Sequence, residues 1–311
     1  MAKNRIIGTP TDISMYANQF SYLARPLTRD LSGSVDAVIM GIPFDLATTG
    51  RSGTRFGPSG VRNASSNLGW EDKRWPWDFN VFDRLNVVDY GDVDYTPGKP
   101  DDGLSEIVKH AGIIIAAGKT LISVGGDHFV TLPLLRAHHK HYGKMALVHF
   151  DAHTDTWPDE DGRLDHGTMF SRAIKEDLID TKHSIQVGIR THNSNTKGVT
   201  ILDAPWVHKN GVDKVIKKII AVIKDRPAYL TFDIDGLDPA YAPGTGTPVA
   251  GGLTSAQALA IIRGLDGLNF IGADVVEVAP AYDHAEITAI AAATIAHDYL
   301  VIRAKQKMKA K

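Results

Sequence analysis

The sequence has no cysteine among its 311 residues. This absence excludes disulfide bonds and thiolate chemistry, including thiolate metal sites and cysteine nucleophiles. A chain without disulfides is typical of a reducing compartment. The N-terminal segment also lacks the basic stretch, apolar core and small-residue cleavage site of a secretory signal. We therefore expect a cytoplasmic protein.

An excess of charge of one sign is also missing, because 34 basic residues face 36 acidic ones and the formal net charge is −2. This balance gives no electrostatic reason to expect nucleic acid or a membrane surface as a partner. The longest apolar run near the C-terminus, "ITAIAAATIA", is too short to span a bilayer and is followed by His297 and Asp298. The composition predicts a soluble enzyme.

Short apolar runs rich in Val and Ile alternate with longer stretches of helical spacing, and no repeat or linker interrupts them. Strands are predicted at 35–44, 85–91, 120–127, 145–151, 183–190, 199–204, 228–235 and 270–279. Helices are predicted at 102–118, 212–225 and 254–265, and from about residue 286 onwards. Several strands are almost continuously apolar, as expected when helices cover both faces of a sheet. The pattern predicts one α/β domain over residues 1–311, with three layers around a mostly parallel sheet.

Three of the predicted strands end in polar motifs, "GGDH", "FDAHTDT" and "FDID". In an extended chain, residues two apart point to the same side. In open α/β sheets, the functional groups lie at the carboxyl ends of the strands. We therefore expect six side chains to gather in one pocket: His128, Asp151, His153, Asp155, Asp233 and Asp235.

Such a cluster needs cations, because buried carboxylates repel one another and are costly to desolvate without a partner. Two divalent ions would cancel four carboxylates. Oxygen-rich sites with one imidazole per ion and no sulfur favour Mn²⁺, although Co²⁺, Ni²⁺ and catalytic Zn²⁺ stay open. A metal pair about 3.5–4 Å apart can activate a shared water for attack on carbon or phosphorus. A single Asp at a strand end is usually a cap or turn residue, but three motifs in order favour the metal site.

The motifs resemble those of the ureohydrolase family, which includes arginases and agmatinases. The resemblance covers nearly the whole chain and lies in long segments: "GIPFDLATTGRSGTRFGPSGVR", "SVGGDH", "VHFDAHTDT", "DHGTMF", "YLTFDIDGLDPAYAPGTGTPVAGGLT" and "DVVEVAPAYD". It implies the arginase-like fold, a three-layer α/β/α sandwich around an eight-stranded parallel sheet. It also implies two Mn²⁺ ions per subunit and assembly into homotrimers or homohexamers.

The resemblance also assigns roles to single residues. One ion would take His128, Asp151, Asp155 and Asp233. The other would take His153, Asp151, Asp233 and Asp235, with Asp151 and Asp233 bridging the two. His166 matches the family's proton-shuttling loop histidine, Glu277 matches the carboxylate that holds the substrate guanidinium, and Thr247 is a weaker candidate for lining the guanidinium pocket.

The implied reaction is hydrolysis of a guanidino compound to urea and an amine. The likeness is strongest to the agmatinase branch, which converts agmatine to putrescine and urea. The acidic loop 156–167 also favours agmatine, because its charge would attract the ammonium tail. A charged loop that is simply exposed to solvent explains the same residues equally well. The alternative is a guanidino-acid ureohydrolase of the guanidinobutyrase or guanidinopropionase type.

Two rival classes are weaker. A zinc amidohydrolase of the related deacetylase type would use one metal ion, whereas this chain has the full set of six candidate ligands. A catalytically inactive binding protein of the same fold would not need both His166 and Glu277. Two further segments are expected to be structural: "HHKH" at 138–141 as a solvated helix end, and the Trp-rich segment 67–80 as buried packing or a subunit contact.

Overall fold

The computed structural model describes residues 20–69, 72–159 and 162–309. The strands are β1 (Ala37–Gly41), β2 (Val87–Asp92), β3 (Thr120–Val124), β4 (Ala146–Phe150), β5 (Ile185–Ile189), β6 (Thr200–Asp203), β7 (Ala228–Asp233) and β8 (Phe270–Val276). The helices are α1 (Gly57–Ala64), α2 (Pro100–Ala116), α3 (Thr131–Tyr142), α4 (Met169–Lys175), α5 (Ala204–Asn210), α6 (Val212–Ile223), α7 (Ser255–Arg263) and α8 (Ile287–Lys309).

The eight strands form one sheet in the order β2-β1-β3-β8-β7-β4-β5-β6, and every pairing in it is parallel. Parallel neighbours need crossover connections, which the helices between the strands provide. The order places β3, β8, β7 and β4 side by side at the centre. The three polar motifs that follow β3, β4 and β7 therefore emerge at one edge.

Helices cover both faces of the sheet. Helices α2, α3 and α4 bury their apolar residues in one core, and α1 and α5–α8 bury theirs in the other. Alternation along β1 shows the division, because Val38 and Met40 belong to the first core and Ala37 and Ile39 to the second. The three-layer α/β/α arrangement predicted from the sequence is confirmed.

Helix α8 begins where the closing helix was predicted, at about residue 286. It continues past the apolar run, through His297 and Asp298, to Lys309. By length and composition alone the helix could cross a membrane, but 78% of its most apolar window is buried inside the fold. Asp298 is fully buried and accepts a hydrogen bond at 2.7 Å from Arg263 of α7. We describe α8 as a core helix.

The prediction for "HHKH" is wrong in one respect. His139 and His141 lie at the end of α3, but His138 is fully buried. Its Nδ1 contacts the carbonyl oxygen of Leu134 at 2.8 Å, and its ring packs edge-on against Tyr229. Burial lowers the pKa of His138 to about 4. His138 is therefore a neutral core residue.

The Trp-rich segment is only partly packed. Trp77 lies against the second core, with the guanidinium of Arg263 over its ring at 4.9 Å. Trp75 is 90% exposed, and Trp70 lies outside the described residues. Buried packing therefore holds for Trp77 and does not hold for Trp75.

Candidate active site

The six clustered side chains come from loops at the carboxyl ends of three central strands. His128 follows β3, Asp151 follows β4 directly, and Asp233 is the last residue of β7. Glu277 follows β8, which lies between β3 and β7. Residues far apart in sequence therefore meet because their strands are neighbours, as the strand-end rule predicts.

The loop after β3 presents His128 through a tight turn. A Cβ on Gly126 would lie 1.7 Å from the carbonyl oxygen of Phe44, so only glycine fits there. Asp127 caps the short 3₁₀ turn at 128–130 by accepting the backbone N–H of Phe129. The backbone N–H of His128 donates to Oε1 of Glu277 at 2.8 Å. These contacts fix the imidazole at the sheet edge.

The loop after β4 does not continue as a strand, so the expected extended alternation through Asp151, His153 and Asp155 is wrong. The strand ends at Phe150, and Asp155 has a left-handed backbone with φ 51°. Two carboxylates hold the turn: its own Asp151 Oδ1 accepts the N–H of His153 at 2.5 Å, and Asp235 Oδ1, from the loop after β7, accepts the N–H of Ala152 at 3.0 Å. A turn linked to the β7 loop, rather than extended alternation, brings these side chains together.

The ligand atoms lie at distances typical of groups that share an ion. His128 Nδ1 is 3.0 Å from an oxygen of Asp155 and 3.1 Å from oxygens of Asp151 and Asp233. His153 Nδ1 is 3.3 Å from Asp151 Oδ1 and 3.2 Å from Asp235 Oδ2. Neighbouring ligands of an octahedral ion at about 2.1 Å stand about 3 Å apart. Asp151 contacts both imidazoles, as a bridging carboxylate would.

Hydrogen bonding on the far side of His128 frees Nδ1 for a cation. Thr131, Tyr229 and Thr231 all donate hydroxyl hydrogen bonds to the buried carboxylate of Asp274. Because the Thr231 proton is used this way, its oxygen accepts from Nε2–H of His128 at 2.9 Å. Among the described residues, Nδ1 has no hydrogen-bond partner despite the oxygens around it. A lone pair facing three carboxylates fits a metal ion.

Protonation energetics lead to the same conclusion. Burial raises the pKa of Asp233 well above its usual range, and the charges of Asp235 and Asp151 raise it further. Burial and the Asp151 charge also raise the pKa of Asp155 and of Asp235. Burial likewise opposes ionisation of Asp151, but neighbouring imidazoles, His149 foremost, hold its pKa well below the usual range. Cations at this site would remove the repulsion among these groups.

Beside this cluster, His166 and Glu277 form a second pair. Nδ1 of His166 lies 2.7 Å from Glu277 Oε1. Nε2 faces Thr49, 3.1 Å from its backbone nitrogen and 2.7 Å from its hydroxyl. Thr49 can therefore donate to Nε2 of a neutral ring or accept from a protonated one. Burial opposes protonation, but the charge and hydrogen bond of Glu277, together with the charges of Asp155 and Asp127, outweigh it and raise the pKa of His166 to about 9.

Glu277 keeps one oxygen free. The side chain is fully buried, and Oε1 already accepts from His128 and contacts His166. Oε2 has no hydrogen-bond partner among residues 20–69, 72–159 and 162–309. A Cβ on Gly246 would lie 3.4 Å from Oε2, so glycine leaves space there. A buried carboxylate oxygen without a partner is costly and marks a place for a donor.

An open cleft of about 470 Å³ reaches the cluster and His166 of the second pair. Its lining residues are Thr49, His153, Asp155, Trp157, Pro158, Arg163, Asp165, His166, Gly167, Thr168, Asp233 and Thr247. The hydroxyl of Thr247 contacts Asp235 Oδ2 at 3.3 Å. The structure thus brings all nine predicted site residues into one region, and their roles stay predictions.

The loop 156–167 is less acidic in effect than its sequence indicated. Asp159 pairs with Arg172 at 2.7 Å, and Asp165 pairs with Arg163 at 3.0 Å. Glu160 and Asp161 lie outside the described residues. The described carboxylates of this loop are therefore already compensated, and the electrostatic argument for an ammonium tail loses their support.

Sequence reasoning missed His149 as part of this site. Its Nε2 lies 2.7 Å from Asp151 Oδ2, and its side chain is fully buried. The alternation that pointed to Asp151 also extends back to position 149 on β4. Thr49 and Asp274 were missed too, and no local pattern marks either of them.

Comparison with known proteins identifies the family. The model of the arginase family matches residues 35–301. The chain belongs to the arginase family. An agmatinase from Photorhabdus laumondii is 53% identical over 302 residues, covering 97% of this chain and 98% of its own length. An agmatinase from Escherichia coli is 55% identical over 302 residues, with the same coverage.

Arginase-family structures share the fold. The crystal structure of a hypothetical agmatinase from Burkholderia thailandensis superposes with a TM-score of 0.92 at 55% identity, covering 95% of this chain and 94% of that one. The predicted arginase-like architecture is confirmed. A buried cluster of His and Asp side chains at the central strand ends is consistent with a binuclear metal site in this fold.

Proposed function

We propose that this protein hydrolyses agmatine to putrescine and urea, using two Mn²⁺ ions. The observation that carries the proposal is the placement of four carboxylates and two imidazoles next to a buried glutamate with a free oxygen. Relatives that are agmatinases at 53–55% identity over nearly the whole chain support the choice of substrate.

The two ions would be held by the ligand sets that the family resemblance assigns. One set is His128, Asp151, Asp155 and Asp233, and the other is His153, Asp151, Asp233 and Asp235. The contacts of His128 Nδ1 with three carboxylates and of His153 with two support this division. Oxygen ligands with one imidazole per ion, and no sulfur, support Mn²⁺.

In this proposal Glu277 binds the substrate guanidinium. Because Oε1 already has two hydrogen-bonded neighbours, Oε2 provides the free acceptor capacity. A charge-assisted hydrogen bond there would satisfy the buried oxygen and hold the guanidinium carbon beside the cluster. When bound, a pair of divalent cations activates water as a nucleophile and stabilises negative charge in the transition state.

His166 would move the proton that the leaving amine needs. Its raised pKa keeps the ring protonated at neutral pH, with one proton at Nδ1 toward Glu277 and one at Nε2 toward Thr49. Nε2 can release its proton, because the backbone N–H of Thr49 then donates to the vacated lone pair. The cleft also includes His166 in its lining, so the ring is within reach of a bound substrate.

The alternative substrate is a guanidino acid. Its carboxylate tail would need a cation in the cleft. Arg163 is the only Lys or Arg among the described residues that line the cleft. It already pairs with Asp165, so this pair offers no free charge to either tail, and the choice of agmatine rests on the relatives. A cytoplasmic location and assembly into trimers or hexamers stay predictions from the family resemblance.

The test is a substrate panel with Mn²⁺-loaded protein. Urea release is measured from agmatine, arginine, guanidinobutyrate and guanidinopropionate. We expect the highest kcat/KM for agmatine, loss of all turnover in Asp151→Asn, and normal turnover in Asp213→Asn, a matched change at an exposed site on α6. Much faster turnover of guanidinobutyrate would contradict the substrate choice. No urea from any of the four would contradict the proposed function.

A further inference from the structure

His149 lies on β4, two residues before Asp151, and its side chain contacts the ligand cluster. Its side chain is fully buried, and its ring packs edge-on against Phe170 at 4.7 Å and His128 at 5.0 Å between centroids. Both ring nitrogens have a polar neighbour: Asp151 on one side and Gln186 of β5 on the other. The ring therefore has little freedom to rotate away from the cluster.

The hydrogen bonds of Gln186 determine which nitrogen of His149 carries the proton. The amide nitrogen of Gln186 donates to the carbonyl oxygen of Thr154 at 2.7 Å, which fixes the amide orientation because an oxygen there would face another oxygen. The same nitrogen lies 2.9 Å from His149 Nδ1. Nδ1 must accept this second N–H, so the proton of a neutral ring is on Nε2.

We propose that His149, oriented by Gln186, is a positioning residue that fixes Asp151 for metal binding; this rests on the metal site of the proposed function. Nε2–H of His149 donates to Asp151 Oδ2 at 2.7 Å, while the N–H of His153 donates to Oδ1 at 2.5 Å. Both carboxylate oxygens are thus held in place. The carboxylate is presented to His128 on one side and His153 on the other.

The consequence concerns both ions, because Asp151 is a shared ligand in the proposed sets. A carboxylate that can rotate loses the geometry that serves two ions at once. Outer hydrogen bonds of this kind change metal affinity by about 10- to 100-fold when they are removed. Leucine at position 149 fills a similar volume without a donor. Glutamine offers an amide N–H in place of Nε2–H.

The experiment measures Mn²⁺ affinity by competition with a fluorescent chelator for the wild type, His149→Leu and His149→Gln. We expect His149→Leu to weaken Mn²⁺ binding about 10- to 100-fold, and His149→Gln to restore most of the affinity. His138→Leu is the matched control, because it removes another fully buried imidazole from α3 without touching the cluster. It should leave Mn²⁺ affinity unchanged.

A second variant tests the orienting contact. Gln186→Leu leaves His149 in place but removes the donor to its Nδ1, so it should also weaken Mn²⁺ binding. If His149→Leu does not fold, this variant tests the positioning role of His149 in its place. In ¹⁵N NMR of the metal-free wild type, the His149 signal should report a protonated Nε2 and an unprotonated Nδ1. That pattern should be lost in Gln186→Leu.

Wild-type affinity in both His149→Leu and Gln186→Leu would overturn this inference, as would equal losses in His149→Leu and His149→Gln. These results are distinct from a failure of the proposed function. If the wild type binds two Mn²⁺ ions but releases no urea, the function is wrong while the affinity comparison still decides the role of His149. If the wild type is active and the variants bind Mn²⁺ normally, only the inference fails.

Discussion

Replacing Glu277 by Gln is the most informative change to the substrate site. The carboxylate is fully buried, has one free oxygen, and accepts a hydrogen bond from the backbone of His128. The amide has a similar shape but no charge for a guanidinium. Removing one partner of a buried, hydrogen-bonded charge pair costs about 2–5 kcal/mol. At about 1.4 kcal/mol per tenfold, kcat/KM for agmatine should fall roughly 30- to 4,000-fold.

The same change should alter the pH dependence. Burial lowers the pKa of His166, and Glu277, chiefly through its charge, is the main contributor among the groups that raise it to about 9. Without that charge the pKa falls, so the limb of the kcat/KM profile that reports deprotonation of His166 should move to lower pH. The protonated His166 that the proposed function needs would then be available over a narrower pH range.

The assay measures the initial rate of urea release from agmatine between about pH 6 and 10. This range covers both the ordinary and the raised pKa of histidine. Glu286→Gln is the matched control, because Glu286 is exposed and bonds only to Asn63 among the described side chains. Thermal unfolding checks that both variants fold. A kcat/KM for Glu277→Gln within about threefold of the wild type, under 1 kcal/mol, would refute the guanidinium-binding role.

Three further predictions concern stability and the loops around the site. The pKa of His138 falls from 6.5 in the unfolded chain to about 4 in the folded one. Between pH 7 and 5, the free energy of unfolding of the metal-free wild type should therefore fall by about 2 kcal/mol more than that of His138→Leu. Equal losses in urea unfolding would contradict this. Thr254 caps α7 in a capping box with Gln257, so Thr254→Ala should cost about 1 kcal/mol and Thr254→Ser much less. The Arg190 guanidinium donates to the carbonyl oxygens of Asp235 and Val249. Arg190→Met should therefore lower the thermal midpoint of unfolding and weaken Mn²⁺ retention on dialysis. Unchanged retention would show that these bonds do not support the Asp235 loop.

Much of the fold is predictable because strands covered on both faces must be apolar nearly throughout. All eight strands lie within or overlap the predicted ranges. The predicted strand ends are less accurate, because the chain stays buried after it leaves the sheet. The strand predicted to reach residue 127 ends at Val124. Helices α1, α4 and α5 have only seven or eight residues, too few for a helical period to stand out.

The candidate site was predictable to the extent that strand ends gather at one edge of a parallel sheet. That rule needs only local motifs, so it located the six clustered residues without the strand order. Contacts between distant side chains leave no such local signal. The pairing of Asp159 with Arg172 and the links from Asp274 through Thr231 to His128 depend on tertiary packing, so the loop charge was misjudged and the supporting residues were missed.

The central claim is that this cluster binds two divalent ions, and anomalous diffraction from crystals of Mn²⁺-loaded protein tests it most directly. We expect two peaks about 3.5–4 Å apart, one beside His128 and one beside His153, with Asp151 and Asp233 contacting both. A single peak, or peaks away from these side chains, would contradict the account.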